Sequence, residues 1–298
     1  MTLEHVETSL EDLGFDRSDK LLIIHADDVG MCHSVNIATI EGFRKGIVSS
    51  CSIMSPCPWV PEAIELLKGM MVDIGVHVTL NSEWKGYKWR PITKALTICD
   101  ENGYLFSNPR DTATYGDMGE VREEIRAQVA MLRRSLRLSH IDTHMGTIYI
   151  RFDFFKAYVE VALEEGLIPM IPKPHPHIIA WARAQGLPID EKFIEFMKSV
   201  NMPKLDMLVP DIHGNTYEER VKFFKKIIKS IAPGTITQII VHLGLDTEEI
   251  RAIIGESYKL RYFDYKMVMN REVMKLIEES NITLIGWRDL LEKWRKIT

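Results

Sequence analysis

Two adjacent carboxylates, Asp27 and Asp28, close the apolar stretch that begins Leu21-Leu22-Ile23-Ile24. Like charges side by side at the end of a buried strand repel, and they are hard to take out of water unless a cation sits beside them. A divalent metal meets that need, with one carboxylate as ligand and the other free to handle a proton. The plainer alternative is a solvated turn, because Asp favours turns and helix N-caps. Three histidine-bearing segments tip the balance toward chemistry. His77 follows Ile74-Gly75-Val76, the series His140-Ile141-Asp142-Thr143-His144 follows a helical segment, and His242 follows Ile239-Ile240-Val241. A single imidazole in an apolar strand is usually a hydrogen-bonded core residue, but several strands all ending in Asp or His describe a site. An Asp-His-His set suits zinc, and also Mg²⁺, Mn²⁺ or Co²⁺. Along a strand, residues two apart face the same way, so His140, Asp142 and His144 share a face. His144, nearest the tip, is assigned to the metal, and Asp142 to orienting a ligand or the substrate. His140 in place of His144 is the alternative.

The elements that must position these residues alternate. Strands are expected over residues 21–26, 47–54, 73–80, 140–147, 167–171, 205–209, 237–241 and 282–285. Helices are expected over 35–45, 61–68, 120–136, 152–165 and 217–231. The segment 120–136 places Val121, Ile125, Val129, Leu132 and Leu136 on one stripe. Such alternation predicts a parallel sheet with crossover helices, an α/β fold. Seven or eight units in one chain of this length favour a closed (β/α) barrel, whose active site gathers at the C-terminal ends of the strands. No G-x-G-x-x-G or G-x-x-x-x-G-K-[ST] occurs, which removes support for a nucleotide-binding open sheet. No repeat or linker divides the chain, so residues 1–298 read as one domain. Its polar, aromatic-rich insertion over 81–119 is too long for an ordinary connection.

A chain of 298 residues with 46% hydrophobic and 27% charged residues is an ordinary globular composition able to bury a large core. The net charge of −5 argues against a nucleic-acid partner, which needs a clustered basic surface. Residues 1–19 are acidic and lack the apolar core of a secretory signal, and no run is long enough for a membrane span. Cys32, Cys51, Cys57 and Cys99 show no paired C-x-x-C spacing, so neither a zinc cluster nor a disulfide framework is expected. Together these features place the chain in the reducing cytoplasm as buried or half-buried free thiols would require.

The ordered motifs resemble those of the YdjC-like carbohydrate deacetylases, which include the chito-oligosaccharide deacetylases. The resemblance runs through Ala26-Asp27-Asp28-Val29-Gly30-Met31 with Ser34-Val35-Asn36, Gly46-Ile47-Val48-Ser49-Ser50, and Ser52-Ile53-Met54. It continues through Ile74-Gly75-Val76-His77-Val78-Thr79-Leu80, Ser139-His140-Ile141-Asp142-Thr143-His144 and Ile239-Ile240-Val241-His242. The resemblance implies a distorted TIM-like (β/α)7-8 barrel. The implied activity is metal-dependent removal of an acetyl group from a small N-acetylated amino sugar or oligosaccharide. It also implies Asp28, His77 and His144 as metal ligands, Asp27 as catalytic base and His242 as general acid. Members of that family are often homodimers. With Asp27 ionised and His242 charged together, a bell-shaped pH–rate profile is expected. The insertion after the His77 strand carries Trp84, Tyr87 and Trp89, which can stack on sugar faces, while Arg90 or Glu83 can bond hydroxyls. Packing of the insertion onto the barrel, or a subunit interface, is the competing reading. Arg261 and Asp264 read as a charge pair fixing a late helix. The chain departs from the family pattern at His25, Gly146 and Leu243, where relatives often carry Asn, His and Pro. A metal-dependent phosphoesterase or other barrel amidohydrolase, and a non-catalytic sugar-binding protein, are the alternatives.

Overall fold

Strand β1 (Lys20–Val29), apolar from Leu21 to Ile24, lies inside the sheet and is buried at every position but Lys20. Parallel strands covered on both faces lose the alternation of half-exposed ones and read as continuous hydrophobic runs. The computed structural model describes residues 8–297; the first seven residues of the acidic N-terminal stretch and Thr298 lie outside the described residues. The remaining strands are β2 (Ser50–Ile53), β3 (Asp73–Val78), β4 (His140–Thr143), β5 (Ile168–Pro169), β6 (Met207–Val209), β7 (Thr235–Val241) and β8 (Ile282–Leu284).

All pairings among them are parallel. The sheet runs β5-β4-β3-β2-β1-β7-β6, with β8 paired to the start of β1. One further parallel bridge, Pro172 with Leu205, links the chain just past β5 to the chain just before β6. Leu205 N–H donates to Ile171 at 3.0 Å, and Lys173 N–H donates to Leu205 at 2.7 Å. The two edges of the curved sheet are thus drawn toward each other, giving the expected α/β, TIM-like architecture in distorted form.

Crossover helices cover the outside, among them His33–Lys45, Met118–Arg133, Phe152–Glu164, Tyr217–Ser230 and Tyr258–Val268. Their starts follow local chemistry. Asp117 accepts from Gly119 and Glu120 N–H, and Thr216 with Glu219 forms a capping box. A single apolar cluster extends from Leu10 to Leu291. No described helix is long and apolar enough to cross a membrane.

Two departures from the expected elements bear on the site. The strand expected over 140–147 ends at Thr143, and His144 opens a tight 3-10 turn, His144–Ile150. Met145 and Gly146 there take left-handed backbone conformations, with φ of 53° and 65°. The 81–119 insertion is folded onto the barrel: Trp89, Ala95, Ile98 and Leu105 join the apolar core. Its backbone is held by helix Met118–Arg133, where Glu124 accepts from Ile92 and Thr93 N–H and Glu120 accepts from Thr97 N–H.

Candidate metal centre and active site

Neighbouring residues on a regular strand point to opposite faces, so Asp27 and Asp28 should not both reach one site. They do so because β1 is irregular there. Its register against β2 shifts between Ala26 and Val29, and Asp28 takes φ 64°. A β-bulge of this kind re-aims a side chain, and both carboxylates turn toward His77. His77 Nε2 lies 3.9 Å from Asp27 Oδ2 and 3.3 Å from Asp28 Oδ1.

His144 Nδ1 also lies 3.3 Å from Asp28 Oδ1. Asp28, His77 and His144, all buried, therefore offer one donor atom each within 4.8 Å of one another. Asp28 Oδ1 is nonetheless a buried oxygen that accepts no well-aligned hydrogen bond, and the same is true of Asp27 Oδ1. Unsatisfied carboxylate oxygens facing two imidazole nitrogens are the donor set a divalent cation requires. These residues fit a metal. His77 and His144 also meet edge to face, with ring centroids 5.3 Å apart.

Each imidazole is braced on its other side. His77 Nδ1 lies 2.9 Å from Asp142 Oδ1, and His144 Nε2 lies 2.9 Å from Glu83 Oε2. Asp142 is shared further: its Oδ2 lies 2.8 Å from His25 Nε2 and accepts from Ser52 Oγ at 2.9 Å. His25 Nε2 in turn lies 3.2 Å from Asp27 Oδ1, and its Nδ1 lies 2.9 Å from Ser50 Oγ. On the far side, Arg261 Nη2 donates to Asp28 Oδ2 at 2.6 Å.

This geometry sets the charges. Burial alone would raise Asp28, but Arg261, His144 and His77 outweigh it and hold the carboxyl well below the usual carboxylate range. Burial raises Asp27 to about 7 against the pull of His77. Burial opposes charge on His77, yet Asp142 and Asp27 hold that imidazole well above its ordinary value. His144 is likewise raised to about 9, with Glu83 and Asp28 overcoming burial. Burial pushes His242 down to about 4, against the attraction of Asp28. This direction works against the charged state expected of His242; serving as a proton donor would require negative charge to develop beside it.

The other expected residues are distributed as follows. His140 is buried away from the Asp28 group. Its ring stacks on Trp287 at 5.6 Å, and its Nδ1 lies 2.8 Å from Ser139 Oγ. Asp142 is 1% exposed, and its carboxylate is taken up by the His25 and His77 imidazoles and the Ser52 hydroxyl. Trp89, at 3% exposed, donates Nε1–H to the Asn81 carbonyl at 2.8 Å. It packs the insertion onto the barrel and has no open face for a sugar. Arg90 bonds the Asn102 carbonyl at 3.2 Å and lies over the Tyr104 ring, which turns it into the insertion. Trp84 is half-buried against the core. Arg261 and Asp264 do not pair with each other. Asp264 accepts from Arg220 Nε at 2.8 Å and from the His242 backbone N–H at 3.2 Å, which ties it to the site.

The partners that pattern reasoning missed differ in how visible they were. His25 stands two residues before Asp27, and Ser50 and Ser52 are two apart on the adjoining strand, so period-two spacing places them on one face. Glu83 and Arg261 carry no such signal, because a loop and an outer helix deliver them.

The sequence profile of the YdjC-like protein family matches residues 21–279. A carbohydrate deacetylase of Thermus thermophilus is 27% identical over 287 residues, 95% of this chain and 98% of that protein. A chitooligosaccharide deacetylase of Yersinia enterocolitica is 30% identical over 178 residues, 57% of this chain and 59% of that protein. Among solved structures, a protein of Enterococcus faecalis V583 named for cellobiose-phosphate cleavage superposes with a TM-score of 0.74 at 22% identity. That superposition covers 92% of this chain and 99% of the other, and shows a shared fold.

Proposed function

Because the chain belongs to the YdjC-like protein family, we propose that it is a metal-dependent hydrolase removing an acetyl group from an N-acetylated amino sugar or oligosaccharide. The observation that carries this reading is the convergence of buried Asp28, His77 and His144 donor atoms beside a second carboxylate, Asp27, that is not part of the set. Zinc suits two imidazoles and a carboxylate best, with Mg²⁺, Mn²⁺ and Co²⁺ as other candidates. When bound, such a cation supplies Lewis acidity to an amide carbonyl and lowers the pKa of a coordinated water.

The chain's own residues supply the rest. Asp27 takes the proton from the attacking water. As the C–N bond breaks, the departing amine needs a proton. His242, on the chain just past β7, is the proposed donor: it takes up a proton from solvent as the developing oxyanion favours its charged form, and passes that proton to the amine. Arg261 fixes the Asp28 carboxylate so that its Oδ1 faces the two imidazoles. His25 and Asp142 hold Asp27 and His77 at fixed distances from one another. The substrate is a small sugar, and a homodimer is the proposed assembly.

The test is acetate release from N-acetylglucosamine oligomers by the purified, metal-supplemented chain. Turnover is expected, with Asp27→Asn lowering it by roughly 10²–10⁴ while metal stays bound. The second reading, phosphoester hydrolysis, has one observation behind it: buried Arg261 Nη1 has no hydrogen-bond partner among the described residues and could meet an anion. Turnover of a phosphoester with no acetate from any acetylated sugar would establish that reading instead.

A further inference from the structure

His77 and His144 are built alike. In each, one ring nitrogen faces Asp28 Oδ1 at 3.3 Å and the other meets a carboxylate at 2.9 Å. For His77 the bracing carboxylate is Asp142, on the strand beside it. For His144 it is Glu83, and Glu83 belongs to the insertion. Imidazole ligands commonly donate their second N–H to a carboxylate, which sets the tautomer and the ring's direction. The need is greater at His144, because it sits outside the strand on a turn with left-handed residues immediately after it.

The segment carrying Glu83 is itself fastened on both sides. Ser82 N–H donates to the Phe106 carbonyl at 2.9 Å, and Trp89 N–H donates to Ser82 Oγ at 3.1 Å. Asn81 Nδ2 donates to Thr112 Oγ1 at 2.8 Å, while its Oδ1 accepts from Thr147 Oγ1 on the His144 turn. The Trp89 ring lies edge-on to His144, with centroids 6.4 Å apart. A carboxylate placed merely to solubilise a loop would point outward; this one points in.

We propose that Glu83 is a positioning residue for His144, holding the proton on Nε2 so that Nδ1 is presented to the metal. On this view the 81–119 insertion is a working part of the metal centre. The inference rests on the metal reading above and adds to it which nitrogen binds and what directs it.

Titration of zinc into the full chain, with a competing chelator to set the free concentration, tests it. Glu83→Ala should weaken zinc binding by about 10–100-fold. Glu83→Gln keeps an oxygen able to accept from Nε2–H and should weaken it less. Nitrogen-15 spectra of the zinc-loaded wild-type chain give a second readout that needs no variant: His144 should carry its proton on Nε2 and His77 on Nδ1. Zinc affinity of Glu83→Ala within twofold of wild type, or a His144 proton on Nδ1, overturns the proposal while leaving the metal site standing. A wild-type chain that binds none of Zn²⁺, Mg²⁺, Mn²⁺ and Co²⁺, or an Asp28→Asn chain that binds zinc equally well, overturns the metal reading itself.

Discussion

Asp28 holds a left-handed backbone conformation, φ 64°, that costs a non-glycine residue about 1 kcal/mol or more. The surrounding contacts maintain it: Arg261 grips one oxygen, and the two imidazoles face the other. The dipeptide Asp27-Asp28 was visible in the sequence as an unusual pairing, and His77 and His144 as its neighbours, but the contact with Arg261 was not. Arg261 lies 233 residues further along the chain, on a helix whose Arg261-x-x-Asp264 spacing suggested a local pair. His140 shows the opposite case, a histidine expected on the same strand face as His144 whose ring is buried against Trp287. Burial holds it at about 4, with His25 and Arg288 adding to the effect and Asp73 and Asp142 opposing it. Above pH 6.5 the imidazole is neutral in both folded and unfolded chains. As pH falls from 6.5 to 4, the unfolded chain takes up a proton that the folded chain refuses. Stability should fall with it, by about 1.4 kcal/mol per unit and about 3 kcal/mol in all. Burial-raised Asp27 acts in the opposite sense over the same range, in wild type and variant alike, so the His140 contribution is read as a difference: from pH 7 to 4, denaturant unfolding should show the wild type losing stability relative to His140→Asn. Equal slopes would mean that His140 is solvated.

The elements were legible to differing degrees. Long parallel strands such as β1 and β7 show themselves as β-branched runs, and their positions agree with expectation within a few residues. β4 was read four residues too long, because His144–Ile150 continues an apolar pattern while its backbone turns. Only the left-handed Met145-Gly146 pair would have marked the stop, and Met is a poor signal for that conformation. The sugar-binding role given to Trp89 failed for a related reason: an aromatic residue in a long polar insertion can equally be the plug that anchors it. Gly75 on β3 makes a further element-scale point. A Cβ there would lie 2.4 Å from His140 Nε2 on the neighbouring strand, so the glycine leaves the space that the imidazole fills. Gly75→Ala should destabilise the fold by about 1–3 kcal/mol through overpacking. Adding His140→Ala should recover part of the loss, so that the double variant is more stable than the sum of the singles predicts. Strict additivity in denaturant unfolding would show that the two positions do not press on each other.

At the scale of the whole molecule, the barrel brings together groups that the chain keeps far apart. Asp28 on β1, His77 on β3 and His144 after β4 meet at one end of a parallel sheet, with Glu83 and Arg261 supplied from an insertion and an outer helix. That meeting was legible in outline, because alternating strands and helices imply a barrel and barrels gather their strand ends. Of the two bracing carboxylates, Asp142 was legible from its spacing along the strand, and Glu83 was not, since nothing local announces where a loop side chain will point. Every chemical step assigned here depends on one cation held jointly by those three strand-end residues. The most direct measurement is a crystal structure of the zinc-soaked chain with anomalous differences recorded at the zinc edge. One peak is expected, with Asp28 Oδ1, His77 Nε2 and His144 Nδ1 each within about 2.0–2.2 Å of it. A peak bound elsewhere, or none at saturating zinc, would contradict the assignment.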